Sequence, residues 1–137
     1  MTLFVDTSVL YAAADRTDRG NATAKGILLA GEGLITTDHV LVESWRLIQS
    51  RLGHRAADAF WDGLRTGPVE LEIVGAADLE AALVIGDDFT DQAFSLVDRT
   101  SFAVMLRLGV HRAASLDEDF AVFRFGSRRD RAFEIVR

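Results

Sequence analysis

The stretch LFVDTSVLYA, residues 3–12, decides the fold because it joins an apolar strand to a helix through one acidic residue. The three apolar residues before Asp6 predict a short buried strand over residues 2–6. The residues that follow, 7–15, have the composition and spacing of a helix. In open α/β sheets, functional side chains gather at the carboxyl ends of the strands. Asp6 stands at such an end, which makes it the first candidate for a functional residue.

The rest of the chain alternates between strands and helices. Further strands are predicted at residues 33–37, 69–74, 111–115 and 132–136, and further helices at 21–31, 39–52, 54–67, 76–86, 95–108 and, as a turn with a short helix, 116–123. In the segment 69–74, apolar residues alternate with two Glu residues, which predicts a strand with one solvated face. The whole pattern predicts an α/β fold. We expect a single domain over residues 1–137, with three α/β/α layers and a mainly parallel central sheet.

Composition excludes several classes of protein. The chain has 137 residues, no Cys and a formal net charge of −6. The absence of Cys excludes disulfides, thiol nucleophiles and Cys-ligated zinc. No apolar run reaches the ~18 residues of a membrane span and no secretory leader is recognisable, so we expect a cytoplasmic protein without a membrane partner. The negative net charge disfavours a nucleic-acid partner. However, residues 120–137 hold five Arg residues, which form either a phosphate-binding segment or an ordinary solvated face.

Four acids are predicted to converge at the sheet edge that Asp6 marks, and three of them, Asp6, Glu43 and Asp98, interrupt apolar surroundings. Asp117 follows a predicted strand, while Glu43 and Asp98 lie near the starts of their helices. Few cations lie nearby in sequence to neutralise them: Arg46, Arg99 and Arg112. Because unpaired buried carboxylates are costly and repel one another, a shared divalent cation would stabilise the cluster. Ligands that are all oxygen suit Mg²⁺ or Mn²⁺.

Each acid also has a purely structural interpretation. Asp6 can cap the helix that follows it, and Asp98 can stabilise a helix start through the macrodipole. Glu43 can pair with a nearby Arg, and the acids of the turn DED, residues 117–119, can be ordinary turn residues. These structural interpretations would have to hold for all four acids at once. They would not explain why all four acids are predicted to lie at the same edge of the sheet.

Other enzyme classes lack their motifs in this chain. There is no G-x-S-x-G nucleophile turn, no P-loop and no G-x-G-x-x-G after the first strand. His39 lies four residues before Glu43 on the same helix face. It can join a metal site or serve as a capping or core-edge residue.

With these residues in view, the chain resembles the PIN domain family, and within it the VapC-like toxins of type II toxin–antitoxin pairs. The resemblance lies in four ordered segments that span nearly the whole chain: FVDTSVLYA, TTDHVLVESWRLI, DQAFSLVDRTSFAVMLRLG and AASLDEDF. One such segment is a weak signal, whereas the ordered set of four acids with their apolar flanks is specific.

The resemblance implies an endoribonuclease that depends on Mg²⁺ or Mn²⁺. Asp6, Asp98 and Asp117 would bind metal, Glu43 would complete the site directly or through water, and Asp119 is the alternative to Asp117. Thr7 and Ser101 would hold these acids in place through side-chain or backbone contacts, without binding the metal themselves. The family also implies a homodimer and a cognate antitoxin whose tail occupies the active-site groove.

For the RNA substrate, we expect backbone contacts from the basic carboxyl-terminal segment, by Arg124, Arg128 and Arg129. Two other functions stay open at this point. The same fold can cleave RNA in processing or decay without an antitoxin, or it can be a non-catalytic RNA- or protein-binding module. The complete set of acids disfavours the non-catalytic alternative.

Overall fold

The computed structural model describes residues 1–137 and contains one five-stranded parallel sheet. Its strands are β1 (Thr2–Val5), β2 (Gly33–Thr37), β3 (Val69–Glu72), β4 (Arg112–Ala114) and β5 (Glu134–Val136). Their order across the sheet is β3-β2-β1-β4-β5. Every neighbouring pair is parallel, so the carboxyl ends of all five strands lie at one edge.

Helices connect the strands and flank the sheet. They are α1 (Thr7–Ala14), α2 (Asn21–Leu28), α3 (Asp38–Leu52), α4 (His54–Thr66), α5 (Ala76–Asp88), α6 (Leu96–Leu108) and the short α7 (Asp119–Val122). The predicted three-layer α/β fold with a parallel sheet is therefore confirmed. Helix α5 runs two residues further than predicted, into the polar connection. None of the helices is long and apolar enough to span a bilayer.

Strand β1 is central because it is the most apolar strand and packs on both faces. Leu3, Phe4 and Val5 are almost completely buried. Val5 pairs in register with Ala114, the last residue of β4, and the Asp6 amide donates to the Ala114 carbonyl at 3.1 Å. The ends of β1 and β4, which are more than a hundred residues apart in sequence, are thus fixed side by side at the sheet edge.

A cluster of Phe rings anchors the two carboxyl-terminal helices that lead to this edge. Phe102 lies one turn after Asp98 in α6, and Phe120 directly follows Asp119 in α7. Their rings meet edge to face with centroids 4.9 Å apart, and both are fully buried. Phe123 stacks on Phe102 at 4.3 Å between centroids. Aromatic burial of this kind is strongly stabilising, and here it brings the starts of α6 and α7 together.

The predicted alternation of β3 is wrong. Leu71 and Ile73 were expected to face the core, yet they are 40% and 60% exposed. Glu72, expected on the solvated face, is half-buried and accepts a hydrogen bond from Arg107 at 3.0 Å. Strand β3 lies at the edge of the sheet, where side chains are less covered than on the central strands, and Glu72 is held by its ion pair with Arg107 of α6.

Candidate active site

Asp6 lies at the junction of β1 and α1 and is only 3% exposed. Its Oδ2 accepts hydrogen bonds from the hydroxyls of Ser8 and Ser115, each at 2.9 Å. Its side chain makes no N-capping hydrogen bond at the start of α1, so the alternative role of helix cap does not explain it. Two hydroxyl donors from opposite ends of the chain instead fix the orientation of the carboxylate.

Asp98 lies in the first turn of α6 and is 8% exposed. Its Oδ2 accepts from the Ser95 amide at 3.1 Å, while its own amide donates to Ser95 Oγ at 3.0 Å. This is a capping box, which satisfies the free amides at the helix start. One carboxylate oxygen thus holds the helix, and the other is available to a ligand.

The turn after β4 contributes two more acids. Asp117 is exposed; its Oδ1 accepts from the Asp119 amide at 3.1 Å and lies 3.3 Å from Ser115 Oγ, whose hydrogen is donated to Asp6. Asp119 is half-buried at the start of α7 and lies against Asp98. The pairs are therefore Asp6 with Asp117 and Asp98 with Asp119, so both acids of the turn face the site.

Burial and mutual repulsion raise the pKa of the two central acids. For Asp6, desolvation raises the pKa to about 7, with a further rise from the charge of Asp117 and a partial offset from the Ser8 and Ser115 hydroxyls. For Asp98, desolvation raises the pKa to about 8, followed by a hydrogen bond shared with the Asp119 carboxyl and by the charges of Asp119 and Asp6. Acids that hold protons near neutral pH lie in a site that lacks positive charge.

No cation of the chain neutralises this cluster. The eight ion pairs of the structure use other acids and none of the five candidate acids. Arg112, a candidate partner from the sequence, pairs instead with Glu32 and Glu134. Arg99 lies along α5, where its guanidinium fills the space over Gly86. The suggested pairing of Glu43 with Arg46 or Arg99 is also not formed.

Glu43 belongs to the same edge but lies to one side of the Asp cluster. It is half-buried on α3 and lines a groove of about 710 Å³ together with Thr7, His39 and Arg46. Thr7 directly follows Asp6, so the groove opens next to the cluster. Glu43 is not among the charges that raise the pKa of Asp6 or Asp98.

The carboxylate oxygens at this edge are the ligand type that a hard divalent cation prefers, although their present positions do not form a complete coordination sphere. No group of three Asp, Glu or His side chains lies close enough to hold one ion as the side chains now stand. Two buried hydroxyls in the predicted supporting positions, Thr7 Oγ1 and Ser101 Oγ, have no hydrogen-bond partner. Buried hydroxyls normally have partners, so these two mark a place for water or another polar ligand beside the acids.

The predicted RNA-binding arginines lie outside this edge cluster and differ from one another. Arg124 donates to the carbonyls of Ala121, Val122 and Phe123 at the end of α7. Arg129 pairs with Asp88 and covers the ring of Phe89. Arg128 is exposed and makes no hydrogen bond or ion pair, so only this guanidinium is free for a phosphate.

Sequence reasoning missed the two serines that hold Asp6. Ser8 also accepts from the Leu116 amide at 2.9 Å, which ties α1 to the turn that carries Asp117. A signal was present, because Ser8 stands two residues after Asp6 and Ser115 stands two residues before Asp117. A hydroxyl two positions from a carboxylate at a strand end is a common hydrogen-bonding arrangement.

Comparisons with known proteins agree with this architecture. A family model described as PIN domain matches residues 3–126. The 23S rRNA-specific endonuclease VapC20 of Mycobacterium tuberculosis is 38% identical over 128 residues, covering 90% of this chain and 95% of that protein. Ribonuclease VapC26 of the same species is 27% identical, covering 84% of this chain and 86% of that protein.

Solved structures give the same result. The crystal structure of M. tuberculosis VapC20, described as a sarcin–ricin loop cleaving toxin, superposes with a TM-score of 0.82 at 36% identity, covering 87% of this chain and 92% of that chain. The VapBC2 complex of Rickettsia felis, bound to a DNA fragment from its promoter, superposes at 0.69 with 9% identity, covering 98% of this chain and 97% of that chain, which supports the fold alone. This chain therefore belongs to the PIN domain family, and within it to the VapC-type toxin ribonucleases.

Proposed function

We propose that this toxin ribonuclease cuts ribosomal RNA, at the sarcin–ricin loop of 23S rRNA, with Mg²⁺ or Mn²⁺ held by the edge acids. The proposal on substrate is supported by the 38% identity to a 23S rRNA-specific endonuclease across 90% of the chain. We also propose that residues 1–137 act as one domain in the cytoplasm, where ribosomes are found.

The observation that carries the catalytic proposal is the cluster of buried acids without a counter-cation. PIN nucleases are generally dependent on a divalent metal, and oxygen-only ligand sets suit Mg²⁺ or Mn²⁺. Asp6, Asp98, Asp117 and Asp119 would hold the metal, with Glu43 reaching it directly or through water. When bound, a divalent ion supplies an activated water and neutralises charge that develops on the phosphate.

The chain's own residues prepare this site. Ser8 and Ser115 hold the Asp6 carboxylate in one orientation through Oδ2 and leave Oδ1 without a side-chain hydrogen bond. Ser95 does the same for Asp98 through the capping box. The Thr7 and Ser101 hydroxyls offer donors to water beside the acids. Orientation before binding reduces the entropy that has to be lost during the reaction.

The experiment is cleavage of a synthetic sarcin–ricin stem-loop by the purified chain in Mg²⁺, with mapping of the cut ends. Asp6→Asn and Asp98→Asn should each lower the rate by several orders of magnitude, and EDTA should abolish it. Asp130→Asn removes the same charge from an exposed loop and serves as the control. Cleavage of a scrambled stem-loop at the same rate would contradict the substrate, and full activity of Asp98→Asn would contradict the catalytic site.

We propose that the chain forms a homodimer through α5. One face of this helix, with Asp78, Ala82 and Ile85, is buried, whereas Leu83 and Val84 are 59% and 56% exposed. A helix that is apolar around most of its circumference is normally covered on every side. A second copy of the same helix is the simplest cover.

We propose that the antitoxin, whose tail is expected to occupy the active-site groove, also docks on a separate apolar groove. The groove has a volume of about 500 Å³ and lies between α1, α2 and α4, with eleven apolar residues among the thirteen that line it. Leu29 on its rim is 83% exposed and extends the apolar surface of the groove. Contiguous exposed apolar surface of this kind is typical of protein interaction sites. The antitoxin partner itself is supported by the Klebsiella pneumoniae toxin–antitoxin complex and the Rickettsia felis VapBC2 structure, which share the fold.

Two substitutions separate these surfaces and serve as controls for each other. Leu83→Glu should convert the dimer to a monomer in light scattering and leave antitoxin binding intact. Leu29→Glu should weaken antitoxin binding and leave the dimer intact. A monomeric wild type would contradict the dimer, and unchanged antitoxin affinity of Leu29→Glu would contradict the docking groove.

A further inference from the structure

The groove beside Glu43 carries two residues that the catalytic site does not use. His39, Glu43 and Arg46 occupy positions i, i+4 and i+7 of α3, so they share one face of the helix. His39 and Arg46 are about 10 Å apart along the helix axis, at 1.5 Å per residue. They therefore flank Glu43 on both sides within the 710 Å³ groove.

Arg46 is a free cation in this groove. It is exposed, and it forms no hydrogen bond or ion pair with any acid, including Glu43. An RNA strand that approaches the carboxylate cluster meets strong repulsion from negative charge. A guanidinium at the mouth of the site offsets this repulsion and binds phosphate oxygens in a bidentate manner.

The tautomer of His39 is set by its neighbour in α6. Thr100 is completely buried, and its hydroxyl donates to the Val97 carbonyl at 3.2 Å. With the Thr100 hydroxyl donating to Val97, Thr100 Oγ1 is placed to accept from His39 Nδ1–H at 3.1 Å, and we assign this tautomer on that basis. In this tautomer, Nε2 is an acceptor, and it makes no hydrogen bond within the chain.

We infer that this groove guides the substrate strand: Arg46 binds a backbone phosphate, and His39 Nε2 accepts a hydrogen bond from a ribose 2′-hydroxyl. The 2′-hydroxyl is the group that distinguishes RNA from DNA, and a fixed acceptor in a groove that opens next to the acids can recognise it. His39 and Arg46 are positioning residues in this scheme. The inference rests on the proposed RNA-cleaving function but not on the sequence that is cut.

The test measures binding without cleavage, in the Asp98→Asn background with Mg²⁺. The probes are a fluorescent single-stranded RNA oligonucleotide and its all-deoxy counterpart, followed by anisotropy over a range of salt concentrations. Arg46→Ala should weaken binding of both probes about equally, by about 10-fold, and reduce the salt slope of log K by roughly 0.7, which corresponds to one lost phosphate contact on a single strand. Arg55→Ala is the matched control, because Arg55 is also exposed and unpaired but lies beyond the far end of α3.

His39→Ala should weaken RNA binding by roughly 2- to 10-fold, the range of one neutral hydrogen bond, and leave binding of the deoxy probe unchanged. His39→Gln, which keeps an acceptor on a similar stem, should restore part of the preference for RNA. A preference for RNA that survives in His39→Ala would overturn the role of His39. An affinity and salt slope of Arg46→Ala equal to those of Arg55→Ala would overturn the role of Arg46.

These results are independent of the substrate proposal. If the wild type fails to cut the sarcin–ricin stem-loop while the two binding differences are observed, the substrate proposal is wrong and the groove assignment is supported. Single 2′-deoxy substitutions along the RNA should then locate one position whose effect disappears in His39→Ala. An equal effect at that position in both proteins would count against the assignment.

Discussion

Replacement of Asp6 by Asn should stabilise the metal-free protein while it abolishes cleavage. Burial and the charge of Asp117 raise the pKa of Asp6 from 3.8 to about 7 in the folded chain. Because the folded protein binds this proton more tightly than the unfolded chain, protonated Asp6 stabilises the fold. This stabilisation is fully present below about pH 4 and is lost as the pH rises to about 7. Each pKa unit represents about 1.4 kcal/mol, so the wild type should lose up to about 4 kcal/mol over this range from Asp6.

Asn resembles the protonated acid at every pH, so the variant should not suffer this loss. Its carbonyl oxygen can accept from Ser8 and Ser115, and its amide can donate to Asp117. The free energy of unfolding in EDTA should therefore be equal for the two proteins near pH 4. Near pH 8 the free energy of unfolding should be higher for the variant by about 1–4 kcal/mol. For a chain of this size, each kcal/mol raises Tm by roughly 3–5 °C.

Urea denaturation in EDTA at a series of pH values measures this difference directly. Asp130→Asn makes the same charge change on an exposed loop, and it should alter stability by less than about 0.5 kcal/mol at any pH. An Asp6→Asn variant that is no more stable than the wild type near pH 8 would refute the claim that the cluster lacks a counter-cation.

Three further predictions follow from the same contacts. In thermal denaturation, Mg²⁺ at about a hundred times its Kd should stabilise the wild type by about 2.7 kcal/mol. The Asp98→Asn variant should lose most of this stabilisation. Equal stabilisation of both proteins would exclude Asp98 as a metal ligand. Ser115→Ala removes a donor from Asp6 Oδ2, so the pKa of Asp6 should rise further and the pH profile of cleavage should move to higher pH, whereas an unmoved profile would contradict this role. Arg107→Ala leaves the buried Asp78 without its partner at 2.8 Å and should lower the free energy of unfolding by about 1–3 kcal/mol, with Arg65→Ala on the surface as the nearly neutral comparison.

The sequence predicted the fold well because the local patterns agree with the global arrangement. Alternation of apolar strands and amphipathic helices leaves few arrangements other than a parallel sheet. Asp6 and Asp117 could be placed at one edge for the same reason, since parallel strands end together. The contacts of β3 could not be predicted, because its exposure depends on its place at the edge of the sheet and on Arg107, a residue 35 positions away.

The finer geometry of the site was also beyond the sequence. The pairing of Asp98 with Asp119 depends on how Phe102 and Phe120 pack, which no local pattern indicates. The metal ligands, the RNA-contacting arginines and the choice between Asp117 and Asp119 stay predictions. The structure adds the intramolecular contacts of Arg124 and Arg129, which leave these two guanidinium groups less free than Arg128.

The bridge from Asp6 to Ser115 also has a consequence for protein synthesis. The amino-terminal acid is made first, but the strand beside it and its hydroxyl donor are made 109 residues later. At 5–20 residues per second, this interval lasts roughly 5–20 s on the ribosome. A nascent chain, or one released early by a stalled ribosome, has no completed reaction centre. A cell that makes this toxin is therefore protected from its unfinished copies by the order in which the polypeptide is assembled.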